Sequence, residues 1–282
     1  MLGKVCVVTG ANNGIGFETA LALAEQGATV GMVCRSSQRG EAARQKIAQS
    51  TGNTPDLFLA DLSLQREVVR VSAEIKQTYA RLDVLVNNAG AAFTKKELTD
   101  EGLEKTFALN HLGYFRLTLE LLDLLKASAP ARIVNTASSA HAWIRNFDID
   151  DLQQEKTKYR GFQGYGGSKL CNVLFTYELA RRFEGTGVTA NCLNPGSTTT
   201  YRSTNTRFMD WMTTLFKPFM NTAAQGAAPI IYLASSPEAE GITGKYYDYR
   251  CQAVDSAEIT YNTDIARQLW DKSVEIIDGL NR

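Results

Sequence analysis

The chain has 282 residues, 44% of them apolar, and its thirty Lys and Arg are cancelled by thirty Asp and Glu. That balance leaves no global field to favour nucleic acid or an anionic membrane, and the apolar fraction suffices to bury one sizeable core. Five scattered cysteines and two histidines lying thirty residues apart argue against a disulfide framework and give a metal site little support.

The N-terminal residues run into VCVVTG with neither a basic flank and apolar signal segment nor a stretch long enough to span a bilayer. The expectation is a cytoplasmic enzyme with no transmembrane segment, and peripheral membrane association through an apolar helix stays open. Val5 to Thr9 reads as a buried strand and Gly14 to Gln26 as a helix with Ile15, Ala20, Leu21, Leu23 and Ala24 on its apolar side. Thr29 to Cys34 supplies a second strand, Arg39 to Ser50 a helix, Leu57 to Ala60 a third strand, Gln65 to Tyr79 a helix and Leu82 to Val86 a fourth strand. The rhythm continues with helix around Glu101 to Leu125, strand at Arg132 to Ala137, helix from Tyr165 to Phe183 and strand at Val188 to Leu193. Alternation of this kind predicts an α/β fold: a Rossmann-like, doubly wound parallel sheet in a single three-layer domain over residues 1–282, with a C-terminal helical extension. The polar stretch from Trp143 to Gln163 is placed outside the sheet, on the substrate side.

Gly10, Gly14 and Gly16 fall between the first strand and the first helix, where missing side chains let backbone approach a dinucleotide and its phosphates meet helix N-terminal amides. Asn12 and Asn13 either take part in that cradle or stabilise the turn through side-chain hydrogen bonds. After the second strand, where an acidic residue would accept from both ribose hydroxyls, stands Arg35, which can pair with a phosphate; NADP therefore leads NAD. Arg39 either assists it or is solvated at a helix start. Asp61 is placed to accept from an adenine amino group and Leu62 to cover a ring face, unless Asp61 caps the next helix. Asn87, Asn88, Ala89 and Gly90 make a compact turn over which a cofactor can cross.

Tyr165 and Lys169, in YGGSK, are four residues apart and so share one helical face. Forming a free phenolate at neutral pH costs roughly 4 kcal/mol, and a neighbouring ammonium lowers that cost. In carbonyl reduction the protonated Tyr165 would donate to the developing oxyanion. Ser138, with Ser139 as its immediate rival, can align that oxygen, and Asn110 in FALNH can hold a water or an interrupted backbone bond near Lys169.

With TGANNGIG, NNAG, FALNH, RIVNTASSAH, YGGSK, NPG at Asn194 to Gly196, QGA at Gln225 to Ala227 and GKYY at Gly244 to Tyr247, the chain resembles the short-chain dehydrogenase/reductase family over nearly its whole length, specifically its retinol-dehydrogenase-like branch. The resemblance implies a catalytic tetrad of Asn110, Ser138, Tyr165 and Lys169. It places Gly10, Gly14, Ile15, Gly16, Arg35, Asp61, Leu62 and Asn88 around the cofactor, with Pro195 and Gly196 near nicotinamide; Thr198 is a further cofactor-binding candidate. It further implies NADP and apolar aldehydes, ketones or alcohols. Two departures weaken the analogy to retinol itself: Ala137 stands where the branch usually has a serine, and Asn194 where a histidine is frequent.

Trp143, Ile144 and Phe147, together with Phe208, Trp211, Met212, Leu215, Phe216, Phe219 and Met220, are candidates for an apolar substrate wall or lid, with core packing as the alternative. His111 and His141 read as core or locally hydrogen-bonded residues. A mixed C-terminal helix across Ile259 to Ile277 can close the substrate side or meet a second subunit, so a homodimer is an expected assembly. Two further functions fit the same motifs: a light-dependent reductase of a porphyrin-like substrate, and a noncatalytic nucleotide-sensing interaction protein.

Overall fold

A computed structural model describes residues 1–197 and 221–280. Eight strands form one sheet in the order β3-β2-β1-β4-β5-β6-β7-β8. They are β1 (Val5–Thr9), β2 (Thr29–Cys34), β3 (Asp56–Leu59), β4 (Val84–Asn87), β5 (Ala131–Thr136), β6 (Val188–Leu193), β7 (Tyr246–Tyr247) and β8 (Ala253–Val254). All neighbours run parallel except β7 and β8. The five residues of β1 are all buried, as a central parallel strand covered on both faces requires.

Helices α1 (Gly14–Glu25) and α2 (Ser37–Thr51) pack on one face together with α8 (Ala223–Ser235). On the other face lie α3 (Gln65–Thr78), α4 (Lys105–Phe107), α5 (Gly113–Glu120), α6 (Leu122–Ala127), α7 (Gly161–Arg182) and α9 (Thr263–Gly279). Two apolar clusters separated by the sheet make this the three-layer Rossmann-like arrangement. The strand order reverses between β1 and β4, which opens a crevice at the strands' C-terminal ends.

Where the elements differ from the sequence reading, the causes are local. The helix expected from Glu101 starts only at Lys105, because the Glu104 carboxylate caps it by accepting from the N–H groups of Thr106 and Phe107. It then passes through a π-helical turn, Ala108–Leu112, and bends again at Leu121. Helix α7 begins at Gly161, one turn before Tyr165; a Cβ there would lie 2.4 Å from the Phe93 carbonyl oxygen, so a glycine lets the helix start against that loop.

The C-terminal helix α9 buries Ala266, Leu269, Ser273 and Ile277 against the same core that α7 faces. Its stripe of small and apolar residues is satisfied within this chain. The stretch that contains Thr198 and the apolar residues Phe208, Trp211, Met212, Leu215, Phe216, Phe219 and Met220 lies outside the described residues. No helix among the described residues is long and apolar enough to cross a membrane.

Candidate active site

Gly10, Asn12, Asn13, Arg35, Asp61, Asn88, Ala89, Gly90, Ser138, Pro195 and Gly196 follow the C-terminal ends of β1 to β6, at the crevice that the strand order creates, whereas Arg39, Asn110, Tyr165 and Lys169 come from helical segments. After β1, Gly10 has φ +67 and Gly14 φ +57, in the left-handed region that glycine enters at little cost. A Cβ on Gly16 would fall 2.4 Å from the Gly10 carbonyl oxygen and 2.6 Å from Asn88 Nδ2. The turn and the first turn of α1 therefore close to a distance that a side chain would fill. Asn13 occupies the N-cap of α1 but makes no side-chain cap bond, so the helix presents its first amides uncapped. Asn12 and Ile15 are half-buried beside it.

Thr9, which the motif reading passed over, ties this corner to β4. Its Oγ1 accepts from the N–H groups of Asn88 at 2.8 Å and Ala89 at 2.9 Å, while Asn88 Nδ2 donates to the Thr9 carbonyl at 2.9 Å. Asn87 points the other way, into the core, donating to Asn135 Oδ1 and Thr118 Oγ1. Asn135 in turn donates to Thr176 Oγ1 on α7, so the two strand ends and two helices share one buried polar chain. Its signal in sequence is periodic: Asn110, Tyr114 and Thr118 recur every fourth residue, as Tyr165, Lys169, Asn172 and Thr176 recur at spacings of three and four.

On the outer side, Arg35 Nη1 lies 3.6 Å from Asp61 Oδ2, and both are solvent-accessible. Asp61 Oδ1 meanwhile accepts from the Ser63 N–H and hydroxyl, so the same carboxylate caps the local turn and faces Arg35. Arg39 is exposed in the first turn of α2, whose N-cap is Ser36. Leu62 is buried in the core. Pro195 and Gly196 follow β6; Gly196 has φ +76 and its N–H donates to Asn194 Oδ1.

Lys169 is 2% exposed, and its Nζ donates to the Thr136 carbonyl oxygen at 2.8 Å. No carboxylate among the described residues pairs with it, and burial pushes its pKa down to about 7. The ammonium stands 5.8 Å from the centroid of the Tyr165 ring and 5.5 Å from that of Tyr114. A Cβ on Gly90 would meet Asn110 Oδ1 at 3.1 Å and Lys169 Nζ at 3.4 Å, so these residues converge on one small space. Asn110 lies inside the π-helical turn, where the helical ladder is widened. Its side chain accepts from the Ala91 N–H and donates to the Ala91 carbonyl and to Ser168 Oγ, all at 2.9 Å.

Ser138 is half-buried and caps the short turn Ser139–Trp143 through its hydroxyl, whereas Ser139 is exposed. That turn lies against α7: a Cβ on Gly166 would fall 2.9 Å from the Ala140 carbonyl oxygen and 2.7 Å from Ile144 Cδ1. Ile144 and Phe147 pack against the core, but Trp143 remains 59% exposed and stacks on Phe162, itself 55% exposed, at 5.1 Å between ring centroids. Phe162 precedes Tyr165 by three residues and shares its helical face, a neighbour the sequence reading did not name. Of the two histidines, His111 is enclosed by Phe107, Phe115 and Phe175 and meets Ser273 Oγ at 2.8 Å, far from acting as a ligand. Among the described residues no cluster of His, Cys, Asp or Glu could hold a metal ion.

Residues 4–147 match the short chain dehydrogenase family model. Mouse (Mus musculus) retinol dehydrogenase 12 is 40% identical over 276 residues, covering 98% of this chain and 86% of that protein. The human (Homo sapiens) WW domain-containing oxidoreductase is 38% identical over 286 residues, 98% of this chain and 68% of its own length. A crystal structure of an uncharacterised protein from Mycobacterium paratuberculosis superposes with a TM-score of 0.79 at 30% identity, covering 98% of this chain and 94% of the other. Pseudomonas aeruginosa RhlG, solved in an active-site complex with NADP, gives 0.71 at 26% identity over 88% and 95% of the two chains. The fold, the whole-length identity and the family match agree: the chain belongs to the short-chain dehydrogenase family of oxidoreductases, which use a nicotinamide cofactor.

Proposed function

We propose that this chain is an NADP-dependent oxidoreductase that moves hydride between nicotinamide and a bulky, mostly apolar aldehyde, ketone or alcohol. The observation that carries this reading is Lys169, an amine buried without a counter-charge among the described residues, one helical turn after Tyr165 and beside Asn110. An unpaired buried charge is costly to a fold, and groups with pKa values moved toward neutrality concentrate where protons are transferred. The same lysine weighs against a purely nucleotide-sensing protein, which has no use for it.

The residues present fit a dinucleotide. Gly10 and Gly16 leave a cradle that a Cβ would fill, the uncapped start of α1 suits phosphates, and Arg35 is an accessible guanidinium at the end of β2. Asn12, Asn13, Gly14, Ile15, Asp61, Asn88, Ala89, Gly90, Pro195 and Gly196 complete the proposed cofactor side, whereas the side chains of Leu62 and Asn87, expected there from the sequence, are taken up by the core. When bound, the nicotinamide supplies or takes the hydride. As a hydride reaches the carbonyl carbon, the oxygen gains negative charge; Ser138 Oγ orients that oxygen and Tyr165 Oη donates the proton. Lys169 in its ammonium form stabilises the phenolate left behind, and Asn110 holds the Ala91 backbone and Ser168 around it.

The substrate class rests on the exposed Trp143 and Phe162 pair, a flat apolar surface that branches from the two elements bearing Ser138 and Tyr165. The name of the retinol dehydrogenase relatives points to the same class. The test is NADPH oxidation over a panel running from small charged carbonyls to long apolar aldehydes, retinal included. Turnover confined to small charged substrates overturns the substrate reading. Tyr165→Phe keeps the ring and removes the transferable proton, so single-turnover hydride transfer is expected to fall by about 10² or more while NADPH binding is kept. A folded, cofactor-binding Tyr165→Phe at the original rate overturns the mechanism.

A further inference from the structure

His141 lies at the junction of three elements and takes no part in the reaction proposed above. It is 2% exposed, in the turn that Ser138 caps. Its Nδ1 is 2.6 Å from the Ser138 carbonyl oxygen, which also accepts the His141 backbone N–H at 3.2 Å. Its Nε2 receives the backbone N–H of Ala257 at 3.1 Å. An amide N–H can only donate and a carbonyl can only accept, so the imidazole is neutral with its proton on Nδ1. Burial pushes its pKa down, which favours the same neutral form. The ring packs edge-on against Tyr246 of β7 at 4.9 Å.

The segment on the far side of this bridge is itself anchored to α7. Ser256 Oγ is 2.7 Å from the hydroxyl of Tyr177 and 2.6 Å from Thr260 Oγ1, and Tyr261 stacks on Tyr177 at 5.6 Å. Helix α7 also carries Tyr165 and Lys169. Residues 256–261 therefore hold α7 with one set of contacts and, through His141, the carbonyl of Ser138 with another. We infer that His141 is a positioning residue that locks Ser138 to the C-terminal segment, so that this segment fixes the serine hydroxyl relative to the Tyr165 helix. The inference rests on the proposed role of Ser138.

Three variants test it. His141→Phe keeps an aromatic ring and removes both bonds; His141→Gln can donate to one side and accept from the other; Ala257→Pro removes the single N–H that His141 receives. Ala257 has φ −59, which proline adopts, so the last change is aimed at the bond alone. His141→Phe and Ala257→Pro are expected to lower kcat by about tenfold with NADPH affinity within twofold, and His141→Gln to recover most of the loss. The decisive readout is epistasis. In a Ser138→Ala background His141→Phe should cost less than about twofold more, because a residue that acts through Ser138 has nothing left to position. A loss of equal size in that background, or full turnover in both His141→Phe and Ala257→Pro, overturns the inference. Should His141→Phe fail to fold, Ala257→Pro in both backgrounds gives the same reading. Full turnover in Ser138→Ala alone would remove the site reading and this inference with it; a damaged Ser138→Ala beside undamaged His141 variants removes only the inference.

Discussion

Two buried charges at opposite edges of the sheet are handled in opposite ways. Asp83, which immediately precedes β4 at the strands' N-terminal edge, is 2% exposed and accepts from Lys4 Nζ at 2.9 Å, Arg81 at 2.6 Å and the Val5 N–H at 2.9 Å. Burial works against its charge, but Arg81, Val5 and Lys4 outweigh it and hold the carboxyl below its ordinary range. Lys169, equally buried at the C-terminal edge, has a carbonyl oxygen and two aromatic rings around it and no counter-ion among the described residues. A paired charge can be explained by the fold alone, whereas an unpaired one is tolerated where chemistry needs it.

Removing each charge should therefore move stability in opposite directions, with the largest effects at Lys169. Lys169→Met is expected to lower turnover by about 10² to 10⁴. Yet the cofactor-free variant should be more stable than the parent. Moving a lysine from its ordinary 10.5 to about 7 corresponds to a penalty of at most about 5 kcal/mol. For this base the unfolded chain binds the extra proton, so the parent's stability rises with pH between about 7 and 10.5. The variant's advantage is thus full below pH 7 and smaller by roughly half at pH 9. Denaturant unfolding of both proteins at pH 6 and pH 9 reads it, and a less stable Lys169→Met at pH 6 breaks the contrast.

Asp83→Asn should do the reverse, costing about 1 to 3 kcal/mol at pH 7 with turnover per folded molecule unchanged. The figure sits below that for a fully enclosed pair because Lys4 and Arg81 are 37% and 48% exposed and can return to water. As a carboxyl with a lowered folded pKa, Asp83 contributes fully above the unfolded value near 4 and loses its contribution as pH falls through the folded one. The difference between parent and variant should accordingly narrow as pH falls below about 4. An undiminished gap there would assign the effect to packing instead of charge.

Within the C-terminal edge itself, the motif residues and their supports are unequally legible in sequence. Gly10, Gly14 and Gly16 announce themselves because the constraint is local: a turn and a helix start within seven residues of each other, closed to a distance that excludes Cβ. Tyr165 and Lys169 are legible for the same reason, by helical spacing. What supports them comes from far along the chain. The Thr136 carbonyl under Lys169, the chain from Asn87 through Asn135 to Thr176, and the reach of Ala257 to His141 depend on strand register and helix docking that no short window encodes. The break at Glu104 and the π-helical turn around Asn110 were hidden because apolar periodicity runs through both, while one is set by a carboxylate cap and the other by a widened ladder.

On the cofactor side, the contrast sharpens at Gly16. Gly16→Ala is expected to weaken NADPH binding by about tenfold, since a Cβ 2.4 Å from the Gly10 carbonyl oxygen forces the turn and α1 apart. Circular dichroism should show the fold kept. Equal NADPH affinity in parent and variant would mean that the close approach of turn and helix serves only packing.

The smallest effect is expected at Arg35, where charge is neither buried nor alone. Its guanidinium is 58% exposed and 3.6 Å from Asp61 Oδ2, so pairing with a 2'-phosphate must compete with water and with that carboxylate. Arg35→Ala should raise the NADPH dissociation constant by about fivefold and leave that for NADH nearly constant, because the two cofactors differ only at the phosphate. The effect should shrink between 50 and 500 mM salt, as the interaction of exposed charges is screened. Asp61→Asn gives the complementary arm: freed of its partner, Arg35 should hold NADPH slightly more tightly, by about twofold. Equal loss of both cofactors in Arg35→Ala would indicate that the residue shapes the end of β2 without reading the phosphate, and NADP selectivity would then have to come from elsewhere in the site.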